Sequence, residues 1–216
     1  MVRFKQALLA LFAAASCTAA YSQREEPIRL GIEAGPSFNK YTGSGRESLA
    51  GGFFGVRSEF DISKHAYLAG SLRYIMKGAD QGQTWADWYA PGYVELPLAV
   101  GGYKQIGRRL GIFAETGPYF AIGTGGKAYR PTESEDRPWH LWFDDEDMPF
   151  YSAANGRPRR FDMGWGAQAG FAFRHFRLTL GYEIGFLPVW KKGMSPSGSG
   201  SYRNSSFLIG FSYLFY

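Results

Sequence analysis

The stretch from Ser205 to Tyr216, SSFLIGFSYLFY, restricts the architecture more than any other feature of the chain. Phe207, Ile209, Phe211, Tyr213 and Phe215 are large and apolar, whereas Ser206, Gly210 and Ser212 between them are small or polar. That is the period of a β-strand. A chain that stops on such a strand is expected to have no later element to cover its apolar side, which leaves lipid as the economical solvent for that side. The same period recurs through the chain, so apolar groups are spread rather than run together. Aromatics reach 18% of the residues and yet mean hydropathy is negative.

The first 22 residues stand apart. Arg3 and Lys5 form a positive start, Ala7 to Ala15 an apolar core, and Ala20-Tyr21-Ser22 before Gln23 a small-x-small cleavage site. This predicts a secretory signal peptide over 1–22 and one mature domain over 23–216. A lipoprotein signal is the alternative reading, because Cys17 follows Ala14-Ala15-Ser16, although the leucine usual three residues before such a cysteine is absent. Export follows from either. Without Arg3 and Lys5 the 24 basic residues fall to 22 against 19 acidic, too balanced a charge to suggest nucleic acid as a partner.

Cys17 is the sole cysteine, so no disulfide framework or thiolate metal site is expected. The mature part has no run of 18 apolar residues, which excludes an ordinary transmembrane helix. A membrane protein of this kind has to close into a barrel. Eight alternating segments are present. They begin with Ile28 to Phe38 and Phe54 to Ile62, then Ala66 to Lys77, Gly92 to Lys104 and Arg109 to Ile122. Phe161 to Phe173, Arg177 to Pro188 and the terminal stretch complete the set. The connections alternate long and short, with tight turns at Ser63-Lys64-His65, Gln105 to Arg108 and Arg174-His175-Phe176. Antiparallel strands joined in this way place the short turns at one end and the long loops at the other. The fold class predicted is all-β, an eight-stranded antiparallel transmembrane β-barrel with short periplasmic turns and long extracellular loops.

Alternation alone does not say which face points outward. A soluble lipocalin-like barrel alternates too, but its apolar face lines a ligand cavity and its exterior is rich in Lys and Glu. Here the second face consists of Gly, Ala and Ser with single charges, too small for a solvated exterior and suited to the narrow inside of an eight-stranded barrel. The charges on it are Glu33, Arg57, Glu59, Arg73, Glu95, Glu115 and Glu183. Buried charges have to be paired, so a mixed Arg/Glu filling is expected, with a narrow polar pathway or pore as the alternative.

Three histidines are available. His65 and His175 fall in short turns, and His140 lies in the long segment Gly123 to Arg160 near Ser134 and Glu135. A lipid-modifying barrel enzyme would need His, Ser and an acid to converge, and His140 is the base it would use. The run Asp144-Asp145-Glu146-Asp147 lacks the alternating spacing of a preorganised calcium loop. No cofactor or metal is expected. A loop as long as Gly123 to Arg160 needs a reason. Its Trp139, Trp142, Phe143, Phe150 and Tyr151, together with Trp85 and Trp88 of the loop Gly78 to Pro91, are the candidate partner-binding residues, because exposed loop aromatics suit a protein, a glycan or the membrane interface.

Three stretches carry a resemblance. GIEAGPSF from Gly31 to Phe38, Tyr93-Val94-Glu95-Leu96-Pro97-Leu98, and GWGAQAGFAF from Gly164 continuing into LTLGYEIGF up to Phe186 resemble the PorT-like small outer-membrane β-barrels of Bacteroidota. The resemblance spans most of the mature chain and implies an integral outer-membrane location and a barrel without assigned enzymatic activity, some members being linked to protein secretion. Gly210, Tyr213 and Phe215 resemble the C-terminal signal read by the outer-membrane assembly machinery, displaced by one residue because Tyr216 follows. The expected function is structural, adaptor or secretion-associated, exercised through the extracellular loops, with outer-membrane lipids, the assembly machinery and a protein or glycan as partners. A lipid-modifying enzyme or a narrow pore is the alternative.

Overall fold

The computed structural model describes residues 28–42, 48–80, 88–129, 148–151, 157–190 and 201–215 of the 216. The predicted signal peptide and Cys17 lie outside the described residues, as do His140 and the acidic run from Asp144 to Asp147. Among the described residues there are ten strands. They are β1 (Ile28–Thr42), β2 (Leu49–Ser63), β3 (Ala66–Met76), β4 (Ala79–Asp80), β5 (Trp88–Gln105), β6 (Leu110–Tyr129), β7 (Met148–Pro149), β8 (Phe161–Phe173), β9 (Phe176–Pro188) and β10 (Arg203–Phe215). The eight long strands form a closed antiparallel ring in the order β5-β3-β2-β1-β10-β9-β8-β6, with β6 pairing back onto β5. No long strand has a free edge, as a barrel in lipid requires.

Burial is inverted relative to a water-soluble domain. Phe54 is 64% exposed, Phe211 61% and Ile122 60%, while Glu59, Glu95 and Lys77 are at most 1% exposed. The face that carries the glycines and the charges is the interior, less uniformly small than the sequence suggests because Phe53, Tyr67, Ile75, Tyr93, Phe113 and Tyr119 also point into it, and the outer wall is apolar. This disposes of the lipocalin-like reading, whose apolar face would have to line a cavity. Val56 and Ile62 test the assignment, since both point outward on β2 and are 57% and 55% exposed. Val56 sits halfway along the strand, paired with Ile32 and Leu72. Ile62 lies beside the Lys64-His65 turn. Val56→Arg should cost about 2–4 kcal/mol and Ile62→Arg about 0–1 kcal/mol, measured by urea titration of the barrel in lipid vesicles. Equal, negligible costs would mean a wall facing water.

The three short turns fall where alternation stops. In the first, the Ser63 hydroxyl accepts hydrogen bonds from the backbone N–H groups of His65 (3.3 Å) and Ala66 (3.1 Å). In the third, Arg174 adopts a left-handed φ of 54° and only Arg174 and His175 remain outside the strands, Phe176 already belonging to β9. At the other end the strands outrun the sequence reading. β1 continues to Thr42 and β2 starts at Leu49, so that Asn39 pairs with Leu49 rather than opening a loop. β5 starts at Trp88 and β6 reaches Tyr129, and the two-residue strands β4 and β7 pair onto these extensions. Past the bilayer no lipid enforces alternation, and Gly123, Gly125 and Gly126 carry no side-chain period. The ladder continues there on backbone groups alone. Gly126 has a φ of +126°, and a Cβ there would collide with Pro91 Cα and Ala90 O, so no other residue fits this crossing.

Candidate functional site: charged interior and aromatic mouth

The barrel is filled by two layers of charge. In the layer nearer the short turns, Arg57 donates from Nε to Glu59 Oε1 (2.8 Å) and from Nη2 to Glu115 Oε2 (2.5 Å). Glu115 also accepts from the Tyr67 hydroxyl (2.7 Å) and from Gln168 Nε2. Arg177 donates to Glu59 Oε2 (2.6 Å) and to the Tyr67 oxygen (3.3 Å), with its guanidinium 4.7 Å from the Phe113 ring centroid. In the second layer Arg73 donates twice to Glu95 Oε1, at 2.9 and 2.6 Å, and once to Glu183. Lys77 pairs with Glu95, stands 3.5 Å from Glu183 and lies 4.0 Å from the Tyr119 ring centroid. The Tyr119 hydroxyl and Asn204 Nδ2 both donate to Asp162, at 3.1 and 2.8 Å. Glu33 joins the layers, 3.8 Å from Arg57 and 3.9 Å from Arg73.

All seven charged residues read as interior therefore come together inside the ring, each at most 7% exposed. Lys77, Asp162 and Arg177 were missing from that set. The signal was in the parity, since Lys77 shares the face of Arg73, and Arg177 that of Thr179, Gly181 and Glu183. All three lie at the ends of the segments read as strands, Lys77 closing Ala66 to Lys77, Asp162 second in Phe161 to Phe173 and Arg177 opening Arg177 to Pro188. Spaces of ≈ 30 Å³ beside Arg73, Glu115 and Glu183 and of ≈ 10 Å³ beside Glu33 and Arg57 remain. The larger suffices for a water molecule or two and far too little for a hydrated solute. Among the described residues no three of His, Cys, Asp and Glu gather as metal ligands.

Above the charges the mouth is closed by aromatic side chains. Tyr41, Ala79, Tyr89, Phe150, Val189 and Trp190 form one buried cluster, with Tyr151 and Tyr202 packed against it. Trp190 is its hub. Its ring meets Tyr41 and Tyr89 edge-on at 5.5 Å, Phe150 at 5.9 Å and Tyr202 at 6.1 Å. Tyr41, Ala79, Phe150 and Trp190 flank four different long connections, so every loop at this end is rooted in a single packed unit. The sequence reading expects Phe150 and Tyr151 among exposed contact aromatics. The structure turns them inward instead. Phe150 is fully buried and Tyr151 packs on Phe150 (4.9 Å) under the Arg160 guanidinium (4.5 Å). Burial pushes the Tyr151 hydroxyl well above its usual range. The reason is the extension of β6 and the β6–β7 pairing, which carry Phe150 over the opening. Trp85, Trp139, Trp142 and Phe143 lie outside the described residues, and for Trp88 only the backbone is described, in β5.

Midway along β10 Gly210 points inward against Phe53, while at its short-turn end Tyr213 stacks on His175 (5.7 Å) and meets Phe176 and Phe215 edge-on at 5.0 and 5.2 Å. These rings form an outer aromatic belt at the short-turn rim, the level at which such side chains meet a membrane interface.

Comparison with known proteins gives one family and several distant likenesses. No curated protein matches the chain. Neisserial surface protein A has a TM-score of 0.47 at 11% identity, over 88% of this chain and 100% of that one. Ail of Yersinia pestis has 0.43 at 12%, over 88% and 100%. OprG of Pseudomonas aeruginosa has 0.43 at 12%, over 88% and 94%. The family described as outer membrane protein beta-barrel domain matches residues 20–190. With that match spanning most of the 216 residues and the closed, lipid-facing ring behind it, the chain belongs to the outer membrane protein beta-barrel domain family and is an outer-membrane β-barrel.

Proposed function

We propose that this barrel is a non-catalytic outer-membrane adaptor of the PorT-like kind, exported by its first 22 residues and presenting its long extracellular loops to a protein or surface glycan in a structural or secretion-associated role. The aromatic mouth cluster is the observation that carries the reading. A barrel that only had to anchor itself would need no single hub joining the bases of all four long connections, whereas a platform that must hold its loops in fixed relation does. The interior supports the same reading, because its cations are engaged by carboxylates and the spaces left between them are water-sized. The Glu95-Leu96-Pro97-Leu98 run, with Glu95 inside and Leu96 and Leu98 outside, supports the PorT-like kinship.

A loop deletion tests this directly. Removing 132–146 leaves Phe150 in the mouth and should preserve a heat-modifiable, urea-resistant barrel while abolishing capture of the partner in crosslinking and pull-down from intact cells. Undiminished capture would refute a loop-based adaptor. His140→Ala should leave capture intact, and loss of a lipid modification in that variant would favour an enzyme. In planar bilayers the unmodified chain should give no conductance steps. Regular steps at neutral pH would favour a pore.

A further inference from the structure

We infer that the outer wall carries a binding site for an anionic glycerophospholipid of the periplasmic leaflet, an assignment independent of the loop-based adaptor reading. The register of the sheet lines up Gly102, Ala114 and Ala169 as direct cross-strand neighbours on β5, β6 and β8, followed by Leu180 on β9 and Ile209 on β10. Three small residues in one row sink the wall between bulkier ones. The resulting groove encloses ≈ 960 Å³, is flanked by Ile112 and Phe171, and reaches Lys104 and His65 at its short-turn end. A second depression of ≈ 510 Å³ shares Ala114, Ala169 and Leu180 with it and carries the trough further up the wall past Thr116 and Ala167. An acyl chain fits such a trough, because the polar groups along it are engaged within the barrel: the Thr116 hydroxyl accepts from Trp165 Nε1 and donates to Gly166 O, the Tyr182 hydroxyl bonds Ser205, and Gln168 donates to Glu115.

Charge identifies the headgroup. Lys64, Lys104, Arg108 and Arg109 are exposed at the rim below the groove and form no ion pair with any described residue. Backbone hydrogen bonds tie their segments into one arc, Tyr103 N–H donating to His65 O (2.9 Å) and Arg174 N–H to Arg109 O (3.3 Å). The opposite wall differs in both respects. Its row Leu68, Phe60 and Ile28 near the short turns is bulky, the small pair Ser58 and Gly70 lying farther from the rim, and its rim cation Arg29 is taken by Asp61 and Glu59. Small floor and unpaired cations thus coincide in one sector of the barrel. Cations at a membrane surface favour anionic lipid, each adding to the next. A phosphate diester with a neutral or anionic headgroup over that arc, and one acyl chain in the groove, satisfies both.

The experiment is native mass spectrometry of the full barrel released from a mild detergent, incubated with equimolar phosphatidylglycerol and phosphatidylethanolamine of identical chains. The expected result is retention of phosphatidylglycerol over phosphatidylethanolamine by about tenfold or more. The variant K64Q/K104Q/R108Q/R109Q should bring that ratio to parity without changing heat-modifiability. Ala169→Phe should reduce retention of both lipids, with A169V as the milder filling if the phenylalanine variant does not fold. Parity in the unmodified protein, or a ratio the charge variant leaves unchanged, would overturn the assignment. So would a groove variant that loses a dimer instead of a lipid, since a second copy would then be the occupant.

Discussion

Arg73→Ala should lower the stability of the folded barrel by about 3–5 kcal/mol, read as a fall in the urea midpoint of the heat-modifiable band in lipid vesicles. Arg73 holds Glu95 and Glu183 by hydrogen bonds and stands 3.9 Å from Glu33, so its removal strands carboxylates on three strands at once. The neighbouring Lys77 reaches two of them but cannot take over the fork geometry of a guanidinium. A Lys at position 73 should therefore recover only part of the loss. A midpoint within experimental error of the unmodified protein would mean that the interior is wet enough to solvate these acids, contrary to the water-sized spaces around them. Glu115→Gln is the milder comparison, because the carboxamide that replaces the carboxylate still offers a carbonyl oxygen to the Tyr67 hydroxyl while the charge opposite Arg57 is lost.

Trp190→Ala should have the second large effect, of a different kind. Losing a buried tryptophan costs about 3–5 kcal/mol in a packed core, and Trp190 is 3% exposed with four aromatic partners. The lipid-embedded ring does not depend on the mouth cluster, so the loss should appear locally. Limited proteolysis of intact cells should cut the long connections of the variant much faster than those of the unmodified protein, while the boiled and unboiled gel mobilities stay apart as before. Collapse of the gel shift instead would show that the mouth and the ring fold as one unit.

The ring was legible because lipid imposes it. Wherever β8 or β9 crosses the bilayer, each outward position is apolar, and Leu178-Thr179-Leu180 shows its face without reference to any other strand; on β2 the outward run Phe54, Val56, Phe60 is broken once, at Ser58, whose hydroxyl donates to Gly70 O. The charged filling was legible only in part. Glu33 and Glu95 announce themselves by interrupting a small-residue face, but the partners cannot be matched locally. Arg177 finds Glu59 and Arg57 finds Glu115 because closure of the ring brings together strands distant in sequence. The mouth was not legible. Tyr89, Phe150 and Trp190 lie beyond the bilayer, where no period separates an aromatic that plugs from one that projects. Their direction follows from backbone pairing of β6 with β7 and from the way β9 ends, and glycine-rich strand ends give no side-chain sign of either.

The pairing of β1 with β10 has a consequence for the order of events. These two strands adjoin over most of their length, from Leu30 opposite Phe215 to Thr42 opposite Arg203, yet they stand at the two extremes of the barrel sequence. Seven of the eight hairpin-type or neighbouring contacts can form as successive segments arrive, but the seam cannot. Until it does, β1 presents a bare row of amide and carbonyl groups that hydrocarbon will not accept. Insertion therefore has to wait for the whole ring, and a chaperone that shields the β1 edge in the meantime would set the pace at which the protein reaches its membrane.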